Sequence, residues 1–135
     1  MDLPPHNVVI VDERSELAGT YQGIAQLDVG LRTDILDACP KGLGMVMAIR
    51  SLSPQIIITD EIGSEEDVKA INACINAGVT VITSIHASSL EELEARPLIA
   101  QLIKTGAFKR GVVLSRKDGP GTIKEIIRWG AKVVI

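Results

Sequence analysis

The stretch that decides the fold is Ile56-Ile57-Ile58-Thr59-Asp60-Glu61. Its four apolar or β-branched residues predict a short strand of the kind that is buried in a parallel sheet. Two carboxylates follow directly, at the point where this strand ends. The pattern is typical of nucleotide hydrolases, in which one carboxylate holds Mg²⁺ through water and the next orients the attacking water. The phosphate-cradling loop of such enzymes, G-x-x-x-x-G-K-[ST], does not occur in the 135 residues.

Length and composition favour one folded α/β domain, which we expect to span residues 1–135. Hydrophobic residues make up 46% of the chain, but it has one Trp, one Tyr and one Phe, so its core must be aliphatic. An aliphatic core is usual for a parallel sheet covered by helices. The net charge of −3 provides no basic field for nucleic acid, and aromatic platforms for single strands are lacking. We therefore expect no nucleic acid partner.

Cysteine usage and hydropathy point to a cytoplasmic setting. Cys39 and Cys74 lie 35 positions apart, which is no metal-ligand spacing, and their neighbours suit buried free thiols. The first residues lack the basic start and apolar run of a signal peptide. No run approaches the ~20 apolar residues that span a bilayer. We expect no transmembrane segment, so work at a membrane would be peripheral or through a partner.

Predicted strands and helices alternate along most of the chain, which indicates a parallel sheet with crossover helices. The acidic start of residues 65–76, after Ser64, is typical of a capped helix. Strands are predicted at 8–11, 55–60, 79–84, 111–115, 122–128 and 131–135, and helices at 42–52, 65–76, 90–95 and 97–105.

Polar side chains follow three of these strands. They are Asp12-Glu13-Arg14, Asp60-Glu61, and Ser84 with His86. Ligands of open α/β sheets bind outside the carboxyl ends of the strands, so the three groups together predict a site. The alternative is that each acid at a strand end merely caps the helix that follows.

The residues around Asp60 and Glu61 resemble those of a known superfamily. The run Arg50-Ser51-Leu52-Ser53-Pro54-Gln55 through Gly63, with Thr83-Ser84-Ile85-His86, is similar to the acidic block and T-x-H box of type II/IV secretion ATPases. Within that superfamily the chain resembles the stage III sporulation protein AA family over nearly all of residues 8–115. The resemblance implies a RecA-like P-loop NTPase core, with a mostly parallel sheet and flanking helices. It also implies that the P-loop precedes residue 1, so that the core is truncated at its N-terminus.

The resemblance assigns roles position by position. Asp60 matches the Mg²⁺-associated Walker B carboxylate, and Glu61 matches the catalytic glutamate that polarises water. His86 matches the histidine expected near the γ-phosphate. Asp12 and Glu13 match an acidic box, Asp12 as a cofactor contact and Glu13 as a catalytic candidate. The candidates for cationic contacts in the same or a neighbouring subunit are Arg14, Arg32 and Arg50.

For the complete protein, the resemblance implies an ATP- and Mg²⁺-dependent motor that assembles into a ring. Such a motor would lie in the cytoplasm, peripheral to the membrane on the mother-cell side. Its partners would be membrane-embedded proteins of a channel between mother cell and forespore. This chain alone is expected to bind ATP weakly and not to hydrolyse it.

Two other interpretations stay open. The chain could be an assembly or interaction module that works without nucleotide. It could also be a receiver-like protein whose Mg²⁺ pocket uses Asp12, Glu13 and Asp60, but the lysine that a receiver needs is not evident.

Two features depart from the family pattern. Secretion ATPases carry an arginine two positions after the catalytic glutamate, where this chain has Gly63. Residues 118–124, Asp-Gly-Pro-Gly-Thr-Ile-Lys, superficially resemble a phosphate loop, but no Lys-Ser/Thr follows the second glycine. Gly-Pro chemistry predicts a β-turn there.

Overall fold

The structure, a computed structural model, describes residues 6–30 and 32–129. It forms two compact units, Met1–His86 and Ala87–Ile135. The single domain predicted over residues 1–135 stays a prediction. Within the described ranges, no helix has both the length and the apolar character needed to cross a bilayer.

The first unit is built on a four-stranded parallel sheet, as the alternation of elements predicts. The strand order is β2-β1-β3-β4, so the three strands predicted from the sequence are neighbours. Parallel strands need crossover connections, and α1 and α2 supply two of them. The strands are β1 (Val8–Asp12), β2 (Thr33–Asp37), β3 (Ile56–Thr59) and β4 (Thr80–Ile82), and the helices are α1 (Lys41–Ser51) and α2 (Glu65–Asn76).

One face of this sheet is buried far more completely than the other. Val11 and Ile57 lie on the buried face and are fully buried, and α1 packs directly against Val11 through Gly44. On the opposite face, Ile58 is half-buried and Ile82 is 52% exposed. The described part of the first unit therefore covers one face of the sheet well and leaves part of the other open.

Strand β2 is not predicted from the sequence. Its residues, Thr-Asp-Ile-Leu-Asp, include two exposed acids, Asp34 and Asp37. A strand at the edge of a sheet tolerates such charges because one of its sides is open to water. The apolar periodicity that reveals a buried strand is therefore weak in β2.

Helix α2 begins and ends where its sequence predicts. The Ser64 hydroxyl accepts a hydrogen bond from the Asp67 N–H (3.1 Å), and the Asp67 carboxylate accepts one from the Ser64 N–H (3.1 Å). This capping box satisfies two donors at the helix start. Gly78, with φ of 77°, follows the last turn.

The two cysteines are free, as predicted, but they differ in burial. Cys74 is fully buried on α2, and burial raises the pKa of its thiol to about 11. Cys39 is only half-buried, so the expectation of a buried thiol is confirmed for Cys74 alone.

The second unit contains two short helices and an antiparallel hairpin. Helices α3 (Leu90–Ala95) and α4 (Pro97–Lys104) match their predicted positions. Strands β5 (Arg110–Ser115) and β6 (Thr122–Arg128) pair antiparallel, and Gly119 and Gly121 adopt positive φ angles in the turn between them. The interpretation as a turn is therefore confirmed for residues 118–121, while residues 122–124 begin β6. The strand predicted at 131–135 lies outside the described residues.

We predict that Gly44→Ala destabilises the protein by about 1–3 kcal/mol, as overpacking of a well-packed core does. A Cβ at this position would lie 2.6 Å from Cγ1 of Val11, which is fully buried in a central strand. Urea unfolding measures the change in the free energy of unfolding. Gly42→Ala on the same helix is the matched control, because its Cβ would meet nothing closer than 3.4 Å. Equal stability of the two variants would contradict this packing.

Candidate functional site

The pairing of β1 with β3 brings the predicted acidic groups to one edge of the sheet. Val11 lies opposite Thr59 in the parallel register, so Asp12 and Asp60 occupy neighbouring positions where the two strands end. The Thr59 hydroxyl donates to the Val11 carbonyl across this pair (3.0 Å). The convergence predicted from the sequence is therefore present for β1 and β3.

Glu61 is the centre of a cluster of charged side chains. Its Oε2 lies 3.5 Å from Nη1 of Arg14, and its Oε1 lies 3.2 Å from Nε2 of His86. Arg14, Glu61 and His86 follow the ends of β1, β3 and β4, respectively. The side chains of Arg14 and His86 are 65% and 86% exposed, so water screens both contacts. The cluster is thus open to a ligand and contributes little to stability.

The backbone of Glu61 is strained. Its φ is 45°, in the left-handed region that residues other than glycine rarely occupy. The Glu61 N–H donates to the Ser84 hydroxyl (3.2 Å), and the next N–H, of Ile62, donates to the Ser84 carbonyl (3.3 Å). Ile62 is itself buried. Strain of this kind, which costs about 1–3 kcal/mol, concentrates at functional sites.

Asp60 differs from Glu61 in being almost buried, with 9% of its surface exposed. Among the described residues, its carboxylate has no hydrogen-bond or ion-pair partner. The described residues also contain no group of three or more His, Cys, Asp or Glu side chains that could cage a metal ion. Mg²⁺ is commonly held by one or two carboxylates together with water and phosphate oxygens, so Asp60 fits Mg²⁺ that arrives with a phosphate ligand.

Asp12 has a structural role in the loop that follows β1. It is fully buried, and its two carboxylate oxygens accept hydrogen bonds from the N–H groups of Glu16 and Ala18, both 2.9 Å long. Such bonds to a charged acceptor are among the stronger ones in proteins. The same carboxylate therefore fixes the start of the loop that carries Arg14. Its predicted contact with a cofactor stays a prediction.

Glu13 pairs with Lys41 at the start of α1. Its Oε2 lies 2.7 Å from Nζ of Lys41, whose side chain is 13% exposed. The pair borders a cavity of about 450 Å³ between the N-terminal ends of α1 and α2. Sequence reasoning assigns Lys41 no role, because nothing along the chain connects it to Glu13. The predicted catalytic role of Glu13 stays a prediction.

The three candidate arginines are divided between the two ends of the sheet. Arg14 follows β1 and reaches Glu61. Arg32 precedes β2, and its carbonyl accepts from the N–H of Val8 at the start of β1. Arg50 lies in the last turn of α1, before β3 begins. The structure thus brings Arg14 to the acidic pair and leaves Arg32 and Arg50 at the amino end of the sheet.

Comparison with known proteins identifies the family of this chain. The family model described as "Sporulation stage III, protein AA" matches residues 2–133. The chain belongs to this family. It is 49% identical, over 122 residues, to "Stage III sporulation protein AA" of Bacillus subtilis (strain 168). It is also similar to two proteins named "Uncharacterized protein ycf45", at 34% identity over 98 residues in Porphyra purpurea and 31% over 99 residues in Cyanidium caldarium.

These relatives are much longer than the part that matches. The aligned residues are 90% of this chain but 40% of the Bacillus subtilis protein. For the two ycf45 proteins, 71% of this chain matches 17% and 29% of their lengths. The family assignment therefore applies to this segment, and it confirms the resemblance to the stage III sporulation protein AA family.

We predict that Asp12→Asn lowers the free energy of unfolding by about 2–4 kcal/mol, because the amide oxygen can accept only one of the two buried hydrogen bonds and the amide NH2, a donor, would face the other N–H group. Glu61→Gln should change it by less than about 1 kcal/mol, since the side chain is partly exposed and both of its ion-pair partners are highly exposed, so that water screens the pairs. Urea unfolding of both variants measures the difference. A larger loss for Glu61→Gln than for Asp12→Asn would mean that the structural roles of these carboxylates are reversed.

Proposed function

We propose that this chain is the Walker B part of an ATP-hydrolysing motor with a RecA-like core that acts in sporulation. The observation that carries the proposal is the cluster of Asp60, Glu61, Arg14 and His86 at the carboxyl ends of three neighbouring parallel strands. Membership in the sporulation family supports the biological setting. The strained backbone of Glu61 supports a role for that residue beyond stability.

Each residue of the cluster has a distinct task in this proposal. Asp60 would hold Mg²⁺, which would offset negative charge on the phosphate oxygens. Glu61 orients the attacking water and accepts its proton, while the bond from the γ-phosphorus to the bridging oxygen breaks. Arg14 stabilises the negative charge of the transition state from the same subunit. His86 lies on the other side of the Glu61 carboxylate, where it responds to the phosphate that leaves.

The phosphate loop of this motor would come from a segment outside these 135 residues. The strand that leads into this loop would pair with the open edge of β4, because β2 and β4 are the edge strands of the described sheet. Strand β2 exposes Asp34 and Asp37, whereas β4 exposes Ile82 on the less covered face. A buried, apolar phosphate-loop strand with its following helix would cover Ile82, but beside β2 it would bury carboxylates.

The complete protein would assemble into a ring and work at the cytoplasmic face of the mother-cell membrane with the embedded proteins of a channel. Arg32 and Arg50, which lie away from the acidic pair, are the candidates for contacts with a neighbouring subunit. In this arrangement the cluster around Glu61 hydrolyses ATP, and the ring couples that hydrolysis to transport.

One observation favours a second function, an assembly module without nucleotide. Both oxygens of Asp12 are occupied by backbone donors, and Glu61 is paired on both sides. A site whose carboxylates all had such partners would need no metal. Asp60, which has no partner among the described residues, argues against this second function.

A chimera tests the ATPase proposal. This chain replaces the matching 122 residues of the Bacillus subtilis relative, which supplies the rest of the protein. We predict Mg²⁺-dependent ATP hydrolysis by the chimera and a fall in kcat of at least about a hundredfold in its Glu61→Gln form, since water activation by a general base contributes that much. Phosphate release under saturating ATP is the measurement.

Lys69→Gln is the control, because Lys69 is an exposed cation of α2 outside the cluster. Its kcat should match that of the unaltered chimera. If the chimera releases phosphate no faster than its Glu61→Gln form, the motor proposal fails and the assembly module is favoured. This chain alone, titrated with ATP and Mg²⁺, should bind only weakly; micromolar affinity would show that the phosphate loop is not required.

A further inference from the structure

Charge is distributed very unevenly along the chain. The hairpin segment 109–128 contains six of the 14 basic residues and two of the 17 acidic ones, so it carries a net charge of +4. The remaining residues carry −7. A strong positive field on one small element of an acidic protein is typical of a surface that meets an anionic partner.

One face of this hairpin is apolar and exposed. Val112 pairs with Ile126 and Leu114 pairs with Ile123, so the four side chains form two adjacent cross-strand pairs. Their exposed fractions are 54%, 62%, 61% and 58%, respectively. Aliphatic residues exposed next to each other in this way indicate an interaction surface, whereas single exposed apolar residues do not.

Cations border the apolar pairs at both ends. Arg110 and Arg128 lie directly opposite each other, one pair further along the same face. Like charges in opposed positions destabilise a two-stranded sheet, unless a partner neutralises them. At the other end, Arg116 and Lys117 follow β5 in the turn. Glu125 pairs with Val113 and therefore lies on the opposite face.

That opposite face is partly covered within the second unit. Gly111 alternates with Val112 and faces the other way, where a Cβ would lie 2.5 Å from the ring of Trp129. The Trp129 indole N–H in turn donates to Glu94 of α3 (3.0 Å). The hairpin thus contacts the rest of the unit from one side, and its apolar, cationic side is the more exposed one.

We propose that this face of the hairpin binds directly to the surface of an anionic phospholipid bilayer. The four aliphatic side chains would enter the boundary between headgroups and acyl chains, and the bordering arginines and lysine would contact lipid phosphates. The negative charge on the rest of the chain would keep other surfaces away from the same membrane. This contact adds a lipid surface to the membrane-peripheral location proposed above, and it can fail while the ATPase proposal stands.

A bilayer fits these observations better than the other anionic macromolecules do. A surface that binds nucleic acid usually combines cations with aromatic side chains that stack on the bases, but the centre of this face is aliphatic. Lipid headgroups and acyl chains instead present phosphate charge above an apolar layer, which matches aliphatic pairs bordered by cations. An acidic protein, including a second copy of this chain, is tested as an alternative outcome.

Sedimentation with vesicles tests the proposal. The intact 135-residue chain is mixed with vesicles of phosphatidylcholine alone or with phosphatidylglycerol added, at low and high salt. We expect binding to the anionic vesicles only, weakened by salt because the charges are exposed. Arg110→Gln combined with Arg128→Gln should weaken binding about thirty-fold, as each basic residue near an anionic surface contributes roughly a fivefold change.

A second variant tests the apolar contact, and two matched variants serve as controls. Leu114→Ser with Ile126→Ser should also lose binding, although it leaves every charge in place. Lys69→Gln with Lys104→Gln removes two exposed cations outside the hairpin, and Leu43→Ser with Met47→Ser removes two exposed apolar residues of α1. Both controls should bind like the unaltered chain. Far-ultraviolet circular dichroism checks that each variant is folded.

Three results would overturn the proposal. One is the absence of sedimentation with anionic vesicles by the unaltered, folded chain. Another is equal binding by the folded hairpin variants and the controls, which would place the lipid contact elsewhere. The third is concentration-dependent self-association of the unaltered chain that both hairpin variants abolish, together with no binding to vesicles, because the face would then be an interface between copies.

Discussion

The parallel pairing of β1 with β3 is the constraint on which the rest of the first unit depends. Val9 lies opposite Ile57 and Val11 opposite Thr59, so both strands end at the same level. Helix α1 can approach this pair closely only because Gly44 has no side chain to meet Val11. The register and the close approach together fix where Asp12 and Asp60 emerge. A slip by one residue would turn the carboxylates to the opposite faces of the sheet.

Two acidic positions that look alike in the sequence are used in different ways. Asp12 is buried and gives both oxygens to backbone N–H groups, which stabilises the folded loop. Glu61 is partly exposed, sits on a strained backbone and contacts only side chains that water also reaches. The fold thus uses one carboxylate for stability and keeps the other available. This difference is what makes Glu61 the better candidate for chemistry.

Two of the exposed apolar sites among the described residues differ in their charged surroundings. Ile82 lies on β4, at an edge of the parallel sheet, where a further strand and helix would continue the same architecture. The four aliphatic residues of the hairpin lie instead on a two-stranded sheet, bordered by cations. The first surface suits a further segment of the same fold, and the second suits an external, anionic surface.

Sequence patterns alone predict the type and position of nine of the ten strands and helices found in residues 6–30 and 32–129, because apolar periodicity, capping residues and Gly-Pro turns act locally. They also determine which strand ends carry the acids. They do not reveal β2, whose charges are tolerated at a sheet edge, or the pairing of Glu13 with Lys41. That Arg14 reaches Glu61 while Arg32 and Arg50 do not follows only from the three-dimensional arrangement of the strands. Strand order and register place these side chains, and both depend on contacts between residues far apart in the chain.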